Sequence, residues 1–292
     1  MPIFQIKNKR VSQVSSNLDY FNNEAELRDF FADNLEDLLG MRFIAKEYPV
    51  MDGKGRIDTL AIDEIDAPVI IEYKWGQNDA ILPQGQAYFN WLKKNKKHFD
   101  LLISDKLGKE VKVNWSSPRV VLVSQGFDDR TKIAVEEVDY VDLITYTPYS
   151  QDILYLETVY SPNKRQVLKE QVETQDNEVY DNDYHFNLTI PEMKDIAQKL
   201  RNKILELPSV EEKSGQKTGI TYKTTMSFAR FEFRKSSIQL LLRDPSYPDD
   251  TRKLVEDITS NEWGYKGKIK LISDSDIDYI FSLIKASYNS TL

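Results

Sequence analysis

Two hydrophobic periods divide the chain. Over NNEAELRDFFADNLEDLLG, Leu27, Phe30, Phe31, Leu35, Leu38 and Leu39 recur at helical spacing and Gly40 ends the run, which predicts an amphipathic helix. Asn23 stands where an N-cap belongs, Glu24 is the first helical residue, and Glu26 is the third, from which a carboxylate reaches back to the cap amide. MRFIAKEYPV, RIDTLAID and PVIIEYK then read as three strands, the last two joined by the polar turn EIDA. A second helix follows over QGQAYFNWLKKN. Beyond it the apolar runs FDLLIS, RVVLVS, VDLITYT and DILYLETVY alternate with one further helix near TKIAVEEV. This order of helices and strands predicts an α/β fold with a mixed sheet flanked by helices.

From residue 164 to 187 the chain is polar and charged, and it reads as a linker after a first domain at 1–163. The remainder, 188–292, opens with a helix over PEMKDIAQKLRNKILEL, where Met193, Ile196, Ala197, Leu200, Ile204 and Leu207 share a face. Strands GITYKT, SFARFEF and SIQLLLR follow, then a helix around RKLVEDI, a strand KIKLIS and a closing helix DIDYIFSLIKASY. This is a smaller α+β domain, expected to select a substrate or bind a partner.

Composition narrows the chemistry. With no cysteine there is neither a disulfide framework nor a thiolate nucleophile, and the two histidines, His98 and His185, lie in no recognisable catalytic context. No run of about 18 apolar residues predicts a membrane span, and the amino terminus lacks a signal-peptide core. The expected location is the cytoplasm. A net charge of -8 lowers the expectation of general nucleic-acid coating while leaving room for a local basic groove.

The stretch GRIDTLAIDEIDAPVIIEYK, residues 55–74, concentrates the candidate chemistry. Side chains two apart on a strand share a face, so Glu72 and Lys74 point together and Tyr73 points away. If RIDTLAID and PVIIEYK pair as a hairpin, Asp58 and Glu72 reach the same sheet edge, and two carboxylates so close favour sharing a hard divalent cation, Mg²⁺ or Mn²⁺. Such a cation beside an ammonium suits phosphodiester hydrolysis. The competing reading is an edge-strand ion pair worth ~0 to 1 kcal/mol. Asp63, Glu64 and Asp66 are left as ordinary turn residues.

These motifs resemble the PD-(D/E)xK nucleases of the NucS type, a group that includes EndoMS-like DNA endonucleases. The resemblance runs over roughly residues 20–160 through NEAEL, GRIDTLAID, PVIIEYK and QGQAYFNWL. It implies a restriction-endonuclease-like core in which Asp58, Glu72 and the Tyr73 backbone carbonyl hold Mg²⁺ or Mn²⁺. It further implies that Lys74 positions or activates water, Glu24 supports that water, and Gln84 and Tyr88 complete the site. The spacing of Gln84 and Tyr88 puts both on one helical face; core packing beside Trp91 and Leu92 is the other reading of Tyr88. The carboxy-terminal domain is similar to a module found in proteins labelled predicted transport proteins, through SIQLLLR, EWGYKG and DIDYIFSLIKASY. Trp75 follows the lysine where that family commonly has a basic residue, and it either stacks on a base or packs.

The resulting expectation is a metal-dependent DNA endonuclease of repair or defence, with RNA left open as a substrate and a homodimer as one open assembly. The alternative is a catalytically silent nuclease fold that binds nucleic acid or a protein. The basic run Lys93 to His98 fits either a DNA-backbone contact or favourable charge at a helix end, and DGKGRID reads as a hairpin turn rather than a phosphate loop.

Overall fold

The computed structural model describes residues 3–50, 55–77, 81–109, 111–150, 152–162, 180–216, 219–259 and 264–292. The chain forms two compact units, residues 1–36 with 43–169 and residues 37–42 with 170–292. Most of the expected linker lies outside the described residues; within it, Asn182–Phe186 forms a short helix.

From residue 3 to 77 the elements are β1 (Ile3–Lys7), β2 (Arg10–Val14), α1 (Glu24–Asp33), α2 (Leu35–Leu39), β3 (Arg42–Pro49), β4 (Arg56–Ile62) and β5 (Pro68–Gln77). They continue with α3 (Ile81–Lys94), α4 (Lys96–Leu107), β6 (Arg119–Gly126), α5 (Asp129–Val135), β7 (Val141–Tyr149) and β8 (Ile153–Tyr160). Strands β3 to β8 form one sheet in sequence order. Strands β5, β6 and β7 run parallel, whereas β4 and β8 pair antiparallel to their neighbours, so the sheet is mixed. Strand β5 is central, and Pro68 to Tyr73 are buried without a break, as a strand covered on both faces requires. Ile70 packs in a cluster with Leu82, Phe89 and Leu92 of α3 and with Val120 and Leu122 of β6. On the opposite face Tyr73 meets Phe31 of α1, ring centroids 5.4 Å apart. Helix α3 comes close to the sheet because residue 85 is glycine; a Cβ there would stand 2.9 Å from Val120 and 3.0 Å from Leu122.

Several sequence expectations are corrected. The first helix breaks at Asn34, whose amide side chain donates to the Phe30 carbonyl, and the opening segment, to which the sequence assigned no element, is a hairpin of β1 with β2. FDLLIS, grouped with the strand-length runs, is helical: Phe99 and Ile103 of α4 are both buried at a four-residue interval while Leu101 is 70% exposed. Asp63 is no ordinary turn residue. It is fully buried, forms an ion pair with buried Arg119, and accepts from the backbone amides of Ile65 and Ala67 at 3.1 and 2.8 Å. Glu64 is buried as well.

The second unit contains α6 (Asn182–Phe186), α7 (Pro191–Leu205), β9 (Glu211–Gln216), β10 (Gly219–Lys223), β11 (Ser227–Arg234), β12 (Ser237–Leu242), β13 (Glu256–Asp257), β14 (Gly267–Leu271) and α8 (Ile277–Asn289). Its sheet has the order β13-β14-β12-β11-β10-β9, and α7 and α8 contribute Met193, Leu200, Leu283 and Ile284 to its core. The helix expected around RKLVEDI does not form. Side chains take the amides that a helix would use: Asp250 accepts from Val255 and Tyr279 accepts from Arg252, and Lys253 adopts a left-handed φ of 52°.

Candidate active site

The register of β4 on β5 pairs Thr59 with Ile71, Leu60 with Ile70 and Ala61 with Val69, so one step further Asp58 faces Glu72. There the two carboxylates take over from backbone carbonyls. The Asp58 amide donates to Glu72 Oε1 and the Tyr73 amide donates to Asp58 Oδ2, each at 3.1 Å. Each acid therefore caps the opposing strand, and both are held midway along β5, where its register with β4 gives way to side-chain bonds. Glu72 has no exposed surface, while Asp58 is half-buried.

The neighbouring elements add polar groups. Gln84, in the first turns of α3, donates to Glu72 Oε2 at 2.7 Å. Lys74 Nζ lies 2.7 Å from Glu24 Oε1, the first residue of α1. Glu24 is fixed there by the helix start: Asn23 caps α1 by accepting from the Glu26 amide at 2.9 Å. Glu26 in turn accepts from the Asn22 amide at 2.8 Å, one residue before the cap that the sequence pattern indicates. Tyr88 is buried on the Gln84 side of α3, and its hydroxyl would lie 2.5 Å from a Cβ placed on Gly55, a residue with φ 136°. Gly55 thus keeps the start of β4 close to the Tyr88 hydroxyl.

Burial shapes the electrostatics. Desolvation and the facing Asp58 charge push the Glu72 carboxyl up to about 9, so Glu72 holds a proton at neutral pH in the metal-free protein. Desolvation also raises Asp58, opposed by the Tyr73 amide and by the Lys74 charge. Tyr88 is raised by desolvation and by the Glu72 charge. Arg28, one turn beyond Glu24 on α1, contributes positive potential at Asp58. Sequence reasoning missed Arg28, although its four-residue spacing from Glu24 was a usable signal.

Hydrogen bonds thus join Asp58, Glu72 and Gln84 in one group and Lys74 with Glu24 in another, the charges of the second acting on Asp58, with Tyr88 beside them and the Tyr73 side chain on the other face. Trp75 is 46% exposed further along β5. His98 stands apart: its Nε2 lies 2.5 Å from the Tyr48 hydroxyl, and the basic run around it spans the break between α3 and α4.

The donor chemistry fits a hard divalent cation. Two carboxylates crowd together, and one retains a proton that a cation would displace. Among the described residues no group of three or more His, Asp or Glu side chains lies in metal-holding arrangement. A cation here would take Asp58 and Glu72 and complete its shell from backbone oxygen and water.

No family model matches the chain. It is 28% identical over 301 residues to a Haemophilus influenzae protein described as uncharacterized, covering 98% of both chains. Among solved structures, 43% of the chain is similar to 47% of a repair endonuclease from Pyrococcus abyssi, at 20% identity and a TM-score of 0.26. A further 14% identical likeness, TM-score 0.27, covers 56% of the chain and 66% of EndoMS in complex with double-stranded DNA. The chain thus spans about half to two thirds of the solved proteins to which it is similar.

Proposed function

We propose that this protein is a metal-dependent nuclease that hydrolyses phosphodiester bonds, acting as a DNA endonuclease in repair or defence. The observation that supports this best is the reciprocal capping of Asp58 and Glu72 beside the Lys74–Glu24 pair. Asp58, Glu72 and the Tyr73 carbonyl are the residues that would hold Mg²⁺ or Mn²⁺. When bound, the cation would neutralise charge on the phosphate and make a water more acidic. The chain's own groups carry the remaining work. Lys74 orients the attacking water and stabilises charge developing on the phosphate oxygens. Glu24 holds the Lys74 ammonium and stands ready to accept a proton from that water. Gln84 is a positioning residue that fixes the Glu72 carboxylate, and Tyr88 closes the site against Gly55. The carboxy-terminal unit is then a substrate- or partner-selecting appendage.

The test is cleavage of plasmid, single-stranded, branched and mismatched DNA, with RNA alongside, in Mg²⁺ and Mn²⁺. Cutting should appear and should vanish in Lys74→Ala. Calorimetry should show Mn²⁺ uptake that Asp58→Ala and Glu72→Ala abolish. Protein that cuts nothing and binds no Mn²⁺ would be a nuclease fold serving only as a binding module.

A further inference from the structure

The hairpin of β1 and β2 stands outside the six-stranded sheet and pairs only with itself among the described residues. Residues facing one another across an antiparallel pair share a face, so Phe4, Ile6, Val11 and Gln13 lie together. Phe4, Ile6 and Val11 are 53%, 75% and 64% exposed, an apolar face left open among the described residues. The other feature is charge. Between Ile3 and Val14 the chain has Lys7, Lys9 and Arg10 and no acid, within a protein of net charge -8. None of these cations forms an ion pair among the described residues. The turn itself is left-handed at both Asn8 and Lys9, with φ of 52° and 61°. Glycine would occupy the second position without strain, and a lysine there keeps a cation at the tip.

The root of the ribbon is tied to the candidate site. The Ser150 amide donates to the Ser15 carbonyl, and Ser16 bridges Tyr149, at the carboxyl end of β7. Gln125, near the carboxyl end of β6, donates to the Leu18 carbonyl at 2.7 Å. Glu24 then meets Lys74 near the carboxyl end of β5. The segment from Ser15 to Glu24 thus crosses the carboxyl ends of the three parallel strands in turn, the edge at which ligands of open α/β sheets bind. Leu18, Tyr20 and Trp75 are exposed along this edge at 50%, 43% and 46%.

We infer that the β1–β2 ribbon is a DNA-gripping arm that enters a groove of duplex DNA bound across the candidate site. The choice of polymer follows from charge and shape, and it rests on the nuclease reading only in placing the duplex at the site. Three cations on a narrow ribbon match the phosphates, and a two-stranded ribbon fits the major groove of B-form DNA. The apolar face offers Phe4, Ile6 and Val11 to thymine methyl groups or to a base step. An A-form RNA duplex has too narrow a major groove to admit it.

Binding is measured by fluorescence anisotropy with the full chain in EDTA, on a 25-base-pair DNA duplex and the matching RNA duplex, so that no cleavage is needed. The triple variant Lys7→Gln, Lys9→Gln, Arg10→Gln should bind DNA on the order of tenfold to a hundredfold more weakly at 0.1 M salt, with a shallower salt dependence. Phe4→Ser with Ile6→Ser should weaken binding with the salt slope unchanged. Lys9→Gly relieves the left-handed lysine, so it should keep or raise the melting temperature and still lose affinity; this separates binding from folding. Unchanged DNA affinity in the triple variant, equal affinity for RNA duplex, or no DNA binding at all would overturn the inference. So would sedimentation showing a dimer that Phe4→Ser with Ile6→Ser dissociates while DNA affinity stays. Absent cleavage with arm-dependent binding would defeat only the nuclease reading.

Discussion

Replacing Glu72 by glutamine tests the electrostatics of the site without using activity. In the metal-free folded protein the Glu72 carboxyl titrates near 9, and in the unfolded chain near the ordinary 4.5. Between those values the native state holds a proton that the unfolded state has released. Stability therefore falls as pH rises through this window, by about 1.4 kcal/mol per unit, and the loss is absent below about pH 4.5. At pH 7 the accumulated cost reaches about 3 kcal/mol, an upper figure because local relaxation and water entry reduce it. Glutamine has the same shape, still accepts from the Asp58 amide, and carries no proton to lose. Urea titrations at pH 5.5, 7.0 and 8.5 in EDTA, followed by tryptophan fluorescence, measure the difference. Trp75, Trp91 and Trp115 all belong to the unit that carries the site. The variant should gain on the wild type steadily with pH, by at least about 1 kcal/mol at pH 7. Saturating Mn²⁺ at about 100 times its dissociation constant should return about 2.7 kcal/mol to the wild type and little to the variant. Parallel pH curves for the two proteins, or a variant less stable at pH 8.5, would refute both the buried protonated acid and the crowding that produces it.

Two further perturbations address the frame around the site. Gly85→Ala forces a methyl between α3 and the side chains of Val120 and Leu122, and overpacking of about 1 to 3 kcal/mol should exceed the ~1 kcal/mol of helix propensity that alanine adds. Chemical denaturation should show a net loss, and a shift of α3 should weaken Mn²⁺ binding through Gln84. Arg119→Ala leaves buried Asp63 and buried Asp142 without their shared cation, which should cost about 3 to 5 kcal/mol by thermal or urea unfolding. A loss below about 1 kcal/mol would show that this network is not held dry.

The sequence carried the amphipathic helix with its Asn23 cap, the helical face of Gln84 and Tyr88, and the strands RIDTLAID and PVIIEYK. Short-range periodicity and capping chemistry are local, so they survive in one dimension. Asp58 could be matched to Glu72 from the sequence because a short turn leaves a hairpin little choice of register, and the observed register continues to that pair. Where local signals were ambiguous or distant partners decided, the sequence was silent or misleading. FDLLIS is short enough to suit either period, and packing of Phe99 and Ile103 made it helix. RKLVEDI has helical composition, yet Asp250 and Tyr279, the latter on the closing helix, take its amides. Asp63 looked like a turn residue because its partner, Arg119, lies 56 positions away on β6. The same holds for the site: strand spacing could put Glu72 and Lys74 on one face, but only the packed elements decided that Glu24 holds the lysine and Gln84 the glutamate. Burial, which raises Glu72, is a property of the surrounding layers, and no stretch of sequence contains it.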